Sequence, residues 1–187
     1  MKTLLSGFCA ASLSLSALAQ GTIQFSTFNS ARGVNAPVYA PGLTSAGTGI
    51  GETFPGITAQ LFLITGTGAG AAYTPLTPAT TFNPGPGAAS RYVVVPTSNV
   101  IVPGVPAGGS ATILMRVFNG ATYESSTWYG QTAQIVVSNL GGIPPGGGAP
   151  LQPAVLAGLQ GFEIIPEPAT TAFALLAVAA LVSRQRK

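Results

Sequence analysis

The chain contains no histidine and no aspartate, its two lysines stand at the extreme ends, and its one cysteine is Cys9. Charged residues make up 6% of it, so the side chains that carry most enzymatic chemistry are nearly missing. General acid–base catalysis and nucleophile activation draw mainly on His, Asp and Lys. Calcium sites need several carboxylates, and catalytic zinc needs His or Cys. Neither metal is expected, no cofactor is implied, and the reading is that of a protein that is not an enzyme. Without a cysteine beyond Cys9, no disulfide can staple the body, and its stability must come from packing and backbone pairing.

The formal charge of +3 does not describe a basic protein. Between Gln20 and Ile165 the charges are Arg32, Arg91 and Arg116 against Glu52, Glu124 and Glu163, which sum to zero. Lys2 and the last residues carry the excess, so the body offers no electrostatic footprint for nucleic acid. High apolar content with few charges also argues against disorder, which needs the opposite balance.

The two ends read as addresses. Met1-Lys2 opens a positive region, Leu4 to Leu15 is apolar with small residues, and Ala17-Leu18-Ala19 has the small-x-small form of a signal-peptidase site. Cleavage after Ala19 makes residues 1–19 a signal peptide, with a helical apolar stretch, and leaves Gln20 as the new terminus. Cys9 lies inside the apolar stretch behind Phe8, a poor setting for lipid attachment. At the other end, Pro166-Glu167-Pro168 precedes an apolar run from Ala169 to Val182, closed by Ser183 and Arg184-Gln185-Arg186-Lys187. Fourteen helical residues span about 21 Å, short of the roughly 30 Å of a bilayer's hydrocarbon core. The run is expected to enter a membrane as a short transmembrane helix, its cationic tip held inside.

The order Pro-Glu-Pro, apolar helix, Arg-rich tip resembles the PEP-CTERM sorting signal of Gram-negative bacteria. The resemblance covers residues 166–187. It implies recognition by an exosortase-like membrane protease, with Pro166, Glu167, Pro168, Arg184, Arg186 and Lys187 as the sorting motif and the tail removed, exchanged or retained as an anchor. It also implies a destination at the envelope or extracellular surface and an association with exopolysaccharide or biofilm. The body looks like small exported proteins with this tail at Gln20-Gly21-Thr22-Ile23-Gln24-Phe25, at Ala36-Pro37-Val38-Tyr39 and from Leu156 to Phe162.

Residues 20–165 hold about 146 residues, enough for one domain with a real core. Short runs rich in Val, Ile, Thr, Phe and Tyr, bounded by Gly, Pro and Asn, predict strands. They cover Thr22 to Phe28, Ala36 to Tyr39, Ile57 to Thr65, Arg91 to Val95 and Asn99 to Val102. Ala111 to Phe118, Ala133 to Ser138 and Gly161 to Ile165 complete the set. No amphipathic helix stands out, so the expected fold is mainly β, a single antiparallel β-sandwich. Pro37, Pro75, Pro78, Pro96 and Pro103 fall at or near strand ends, where a missing backbone donor suits an edge. Residues 141–153 form a Gly/Pro-rich surface loop, after which the chain is expected to return to a sheet.

Four local features invite a functional reading. Leu61 to Thr65 followed by Gly66-Thr67-Gly68-Ala69-Gly70-Ala71 matches a strand plus G-x-G-x-x-A. Pro75 and Pro78 forbid the helix a dinucleotide site needs, so the segment reads as a hairpin loop. Trp128 stands beside Tyr129 and close to Tyr123; these aromatics either close one end of the core or stack on sugar rings as a carbohydrate-binding surface. Arg116 interrupts an apolar strand on the face shared with Thr112, Leu114 and Phe118, as a surface arginine or one paired with a glutamate. Ser125-Ser126-Thr127 offers hydroxyls without a base.

Overall fold

The computed structural model describes residues 20–42 and 48–167. The signal segment with Ala17 and Ala19, and the tail from Pro168 with Arg184, Arg186 and Lys187, lie outside the described residues. Among the described residues no helix is long and apolar enough to cross a membrane.

The architecture is mainly β, with several antiparallel sheets. Its centre is the antiparallel pair of β5 (Thr58–Thr65) and β9 (Ala111–Phe118), registered from Thr58 opposite Phe118 to Ile64 opposite Thr112. Both strands follow the alternation of their sequences. Ala59, Leu61 and Leu63 on β5 and Ile113, Met115 and Val117 on β9 face one way into the main core. Phe62, Ile64, Leu114 and Phe118 face the other way and build a second, smaller apolar cluster. A strand apolar on both faces is expected where both sides are covered.

On the far side of β5 run β6 (Ala72–Pro75) and β7 (Thr80–Thr81). On the far side of β9 run β10 (Trp128–Gln131) and β11 (Ile135–Val137). The last strand, β13 (Ile165–Pro166), closes the sheet beyond β10. Pro75 and Pro166 thus stand on outermost strands, where a missing N–H costs no ladder bond.

Smaller ladders complete the fold. β1 (Gln20–Ile23) pairs with β8 (Val100–Pro106), and β2 (Phe28–Asn29) pairs with β3 (Val34–Asn35) around a 3-10 turn capped by the Asn29 side chain. β4 (Val38–Tyr39) pairs with β12 (Phe162–Glu163) in parallel, a departure from the all-antiparallel expectation. Their side chains join the same core: Ile23, Val38, Val100 and Val102 are fully buried in one cluster with Leu61, Ile113 and Met115. Leu140, Leu156 and Leu159 fill it from the C-terminal third. The one α-helix described, α1 (Ile50–Thr53), is a single turn that buries Ile50.

Several predicted strands shift or dissolve. The first ends at Ile23, because the chain tightens where the Ser26 N–H donates to the Gln24 carbonyl. Arg91 to Val95 is not a strand: a 3-10 turn ends at Arg91, only Val93 makes an isolated bridge to Phe82, and Val94 and Val95 face solvent. β8 runs on through Pro103 and Gly104, beyond the expected Val102. The run at Gly161 to Ile165 splits into β12 and β13, which join different partners.

The 141–153 segment is tied at its base. Gly141 exchanges backbone bonds with Thr22, and Gly142 with Leu151, leaving the Pro-Gly tip outside. A Cβ on Gly141 would lie 2.5 Å from the Pro153 Cα and 2.6 Å from the Gln152 carbonyl oxygen, so only glycine admits this approach. The G-x-G-x-x-A stretch is the β5–β6 hairpin connection, closed by a 3-10 turn at Gly68–Gly70 with Gly66 at φ +81.

Candidate functional site

The outer face of the β5–β9 pair carries the most distinctive arrangement of side chains. Register sets Gln60 opposite Arg116 at the centre of that face. Phe62 and Phe118 lie one step along it, and the edge strand β6 brings Tyr73 alongside. The loop from Asn119 to Thr127, joining β9 to β10, then folds over and contributes Tyr123 and Glu124. Together these residues line an open cleft of ≈ 520 Å³.

Polar side chains shape the loop. The Asn119 Oδ1 accepts from the N–H groups of Thr127 (3.1 Å) and Trp128 (3.0 Å), pinning both ends. The buried Ser126 hydroxyl accepts from the Gly120 N–H at 2.8 Å and donates to the Thr122 carbonyl at 2.7 Å. The Ser125 hydroxyl accepts from the Thr122 N–H at 3.1 Å. The serines noted in the sequence therefore hold the loop together, the local use such residues have in turns.

Arg116 is the core of the cleft, and its side chain is only 11% exposed. Its guanidinium carbon lies 4.3 Å from the ring centre of Tyr123, 4.6 Å from Tyr73 and 4.8 Å from Phe62. Three aromatic faces thus replace much of the water a cation would hold. Its Nε donates to the Gln131 Oε1 at 3.2 Å, and Nη1 meets the Glu124 Oε1 at 3.3 Å. Glu124 itself is 72% exposed. The two partners are therefore unequal: the cation is held by the fold, whereas the carboxylate reaches it from solvent.

The rings continue as a cluster. Tyr123 meets Phe118 edge-on at 6.3 Å and Tyr129 at 5.3 Å, geometries aromatic pairs favour. Burial raises the pKa of the Tyr123 phenol above its ordinary value, with nearby Tyr129 and Glu124 adding to the rise and Arg116 opposing it. The phenol stays protonated through neutral and mildly alkaline pH, as a donor at the cleft wall.

Of the three aromatics singled out in the sequence, Tyr123 and Tyr129 come together here and Trp128 does not. Trp128 and Tyr129 are adjacent on β10, so they point to opposite faces. Trp128 is half-buried against the main core, its ring 5.2 Å from Phe54. It closes that side of the core, the first of its two sequence readings. Arg116 pairs with a glutamate, as anticipated, and lies on the face with Leu114 and Phe118. Phe62 and Tyr73 were not singled out: only the β5–β9 register and the pairing of β6 bring them to Arg116.

The other glutamates are elsewhere. Glu52 lies in α1, and the Glu163 carboxylate accepts from the Gly42 N–H. Among the described residues, no group of three His, Cys, Asp or Glu side chains is placed to hold a metal ion. Pro166 pairs with Trp128, and the Glu167 N–H donates to the Thr127 carbonyl at 2.8 Å. Pro166 and Glu167, the first two residues of the Pro-Glu-Pro run, thus lie against the sheet edge, next to the loop that forms the cleft. Comparison with protein-family models, with characterised proteins and with solved structures finds no match for this chain.

Proposed function

We propose that the chain is a non-enzymatic exported protein of the surface or extracellular matrix of a Gram-negative bacterium. Signal peptidase matures its N-terminus, an exosortase-like membrane protease recognises its PEP-CTERM-like tail, and exopolysaccharide is its partner. The observation that carries this reading is how the folded body holds the start of the expected motif. Pro166 belongs to β13 and the Glu167 N–H donates to the Thr127 carbonyl, so the first two residues of the expected Pro-Glu-Pro motif are held against the sheet. No long spacer separates the domain from the signal, and a protease acting there works at the rim of a folded domain.

The architecture we propose for that domain is a β-sandwich. The inward side chains of the β5–β9 sheet share one core with those of β1, β4 and β8, which supports a second layer facing the first. The side chains of the outer cleft, one guanidinium among aromatic rings with one exposed carboxylate, suit binding better than proton transfer. A carbohydrate-binding module on Trp128, Tyr129 and Tyr123 is the alternative. Of its three aromatics Tyr123 and Tyr129 remain on one surface, while Trp128 serves the core.

The test is sorting in a host that carries an exosortase-like protease. Neutral residues replacing Arg184, Gln185, Arg186 and Lys187 are expected to leave uncleaved chain accumulating in the membrane fraction. Unchanged release and unchanged length would overturn the proposal.

A further inference from the structure

We propose that the Arg116 cleft is a receptor for a uronic acid residue within an acidic polysaccharide, whose carboxylate takes the place of Glu124 on Arg116. The inference gives a ligand class to the polysaccharide partner proposed above and rests on that part of the proposal, not on how the tail is processed.

Four observations carry it. First, Arg116 is a preorganised cation: three rings and Gln131 hold the guanidinium while Nη1 faces the cleft toward a carboxylate. A fixed planar fork loses little freedom on taking a carboxylate. Second, the carboxylate now there is an exposed side chain on a loop, and an ion pair with one partner in water contributes little to stability. With Glu124 swung out into solvent, an incoming carboxylate leaves the guanidinium with one carboxylate partner, as before. Third, the walls fit a sugar ring. Tyr73 is 44% exposed beside the exposed Pro75, giving an apolar surface for the C–H face of a pyranose. Gln60, whose Nε2 is committed to the Leu76 carbonyl, and Thr122, whose hydroxyl bonds Ser125, add polar lining. Fourth, the cleft opens to solvent, so a sugar unit reaches Arg116 from outside the fold.

Charge balance makes the site selective. The body between Gln20 and Ile165 is neutral, so a polyanion gains no general attraction. Recognition then depends on one carboxylate meeting one guanidinium, with stacking beside it.

The experiment is calorimetric titration of the full chain with oligogalacturonic acid of defined length, with its fully methyl-esterified form and a neutral galactan alongside. The acid is expected to bind and the two neutral oligomers not to bind. Arg116→Gln and Tyr73→Ala should each weaken binding about tenfold or more. Glu124→Gln removes the resident competitor and should tighten binding about two- to fivefold. This gain is a signature that a merely structural pair would not produce, and Arg116→Lys, which keeps the charge but loses the fork, should bind weakly while staying folded. Equal binding of the neutral oligomers, no binding of the acid to folded protein, or weaker binding by Glu124→Gln would each overturn the proposal. Failure here would leave the sorting test above untouched.

Discussion

Replacing Arg116 by Met and, separately, Glu124 by Gln measures how unequally the fold holds the two members of this pair. Met keeps most of the side-chain volume among Phe62, Tyr73 and Tyr123 and removes the charge. Each ring–cation contact contributes about 0.5–2 kcal/mol, the upper part of the range applying where water is excluded. With three rings and the Gln131 bond at stake, and partial recovery by the thioether, Arg116→Met is expected to cost about 2–3 kcal/mol. The exposed ion pair adds about 0–1 kcal/mol, so Glu124→Gln should be nearly silent. For a domain of this size, about 2–4 °C of Tm accompanies each kcal/mol, giving a drop of roughly 4–12 °C for Arg116→Met. Urea unfolding followed through Trp128, the only tryptophan, reads both variants and their combination. A coupling energy no larger than about 1 kcal/mol should emerge from the double-mutant cycle. Equal losses from the two single variants would refute the reasoning, because Glu124 and not the rings would then hold Arg116.

Core and surface should separate cleanly. Met115→Ala, at a fully buried position, is expected to cost about 2–5 kcal/mol, whereas Val136→Ala, at a 66% exposed one, should stay within about 0.5 kcal/mol in the same unfolding assay. Gly141→Ala forces the backbone of 141 and 153 apart and should cost about 1–3 kcal/mol, with loss of amide protection at Thr22 in hydrogen exchange. Stability should be nearly flat between about pH 5 and 9, because the body has no His, Asp or Lys to titrate there. Above that window the raised Tyr123 pKa sets the sign. The folded chain keeps a proton that the unfolded chain releases near pH 10, so stability is full below that point and falls as pH rises further. Tm measured from pH 9 upward should fall less steeply for Tyr123→Phe; an identical slope would contradict the assignment.

How far the fold can be read from the sequence depends on what each strand buries. β9 is legible to the residue, because Ala111 to Phe118 is β-branched and apolar with a single break at Arg116, and β5 is nearly so. The strand β6 is hidden for the opposite reason: Ala72-Tyr73-Thr74-Pro75 is exposed throughout and exists only because β5 offers it a ladder. β10 is short, carries Gly130 and is sandwiched between β9 and β13, so its pairing is entirely nonlocal. The valines at 93–95 mislead because their β propensity finds no partner strand beyond one bridge. The candidate site follows the same logic. Arg116, Tyr123 and Tyr129 draw notice as residue types, but Trp128 leaves them because adjacent strand residues point apart. Tyr73 and Phe62 join only through register, which no local pattern encodes.

The claim on which the account turns is that the neutral β domain is the working protein and that both ends are processing signals. Intact-mass spectrometry of the chain recovered from the exterior of its native cell tests this directly. The account expects a chain that begins at Gln20 and ends within Pro166-Glu167-Pro168, alone or with an attached group there. A chain recovered with Met1 and Lys187 both in place would contradict it.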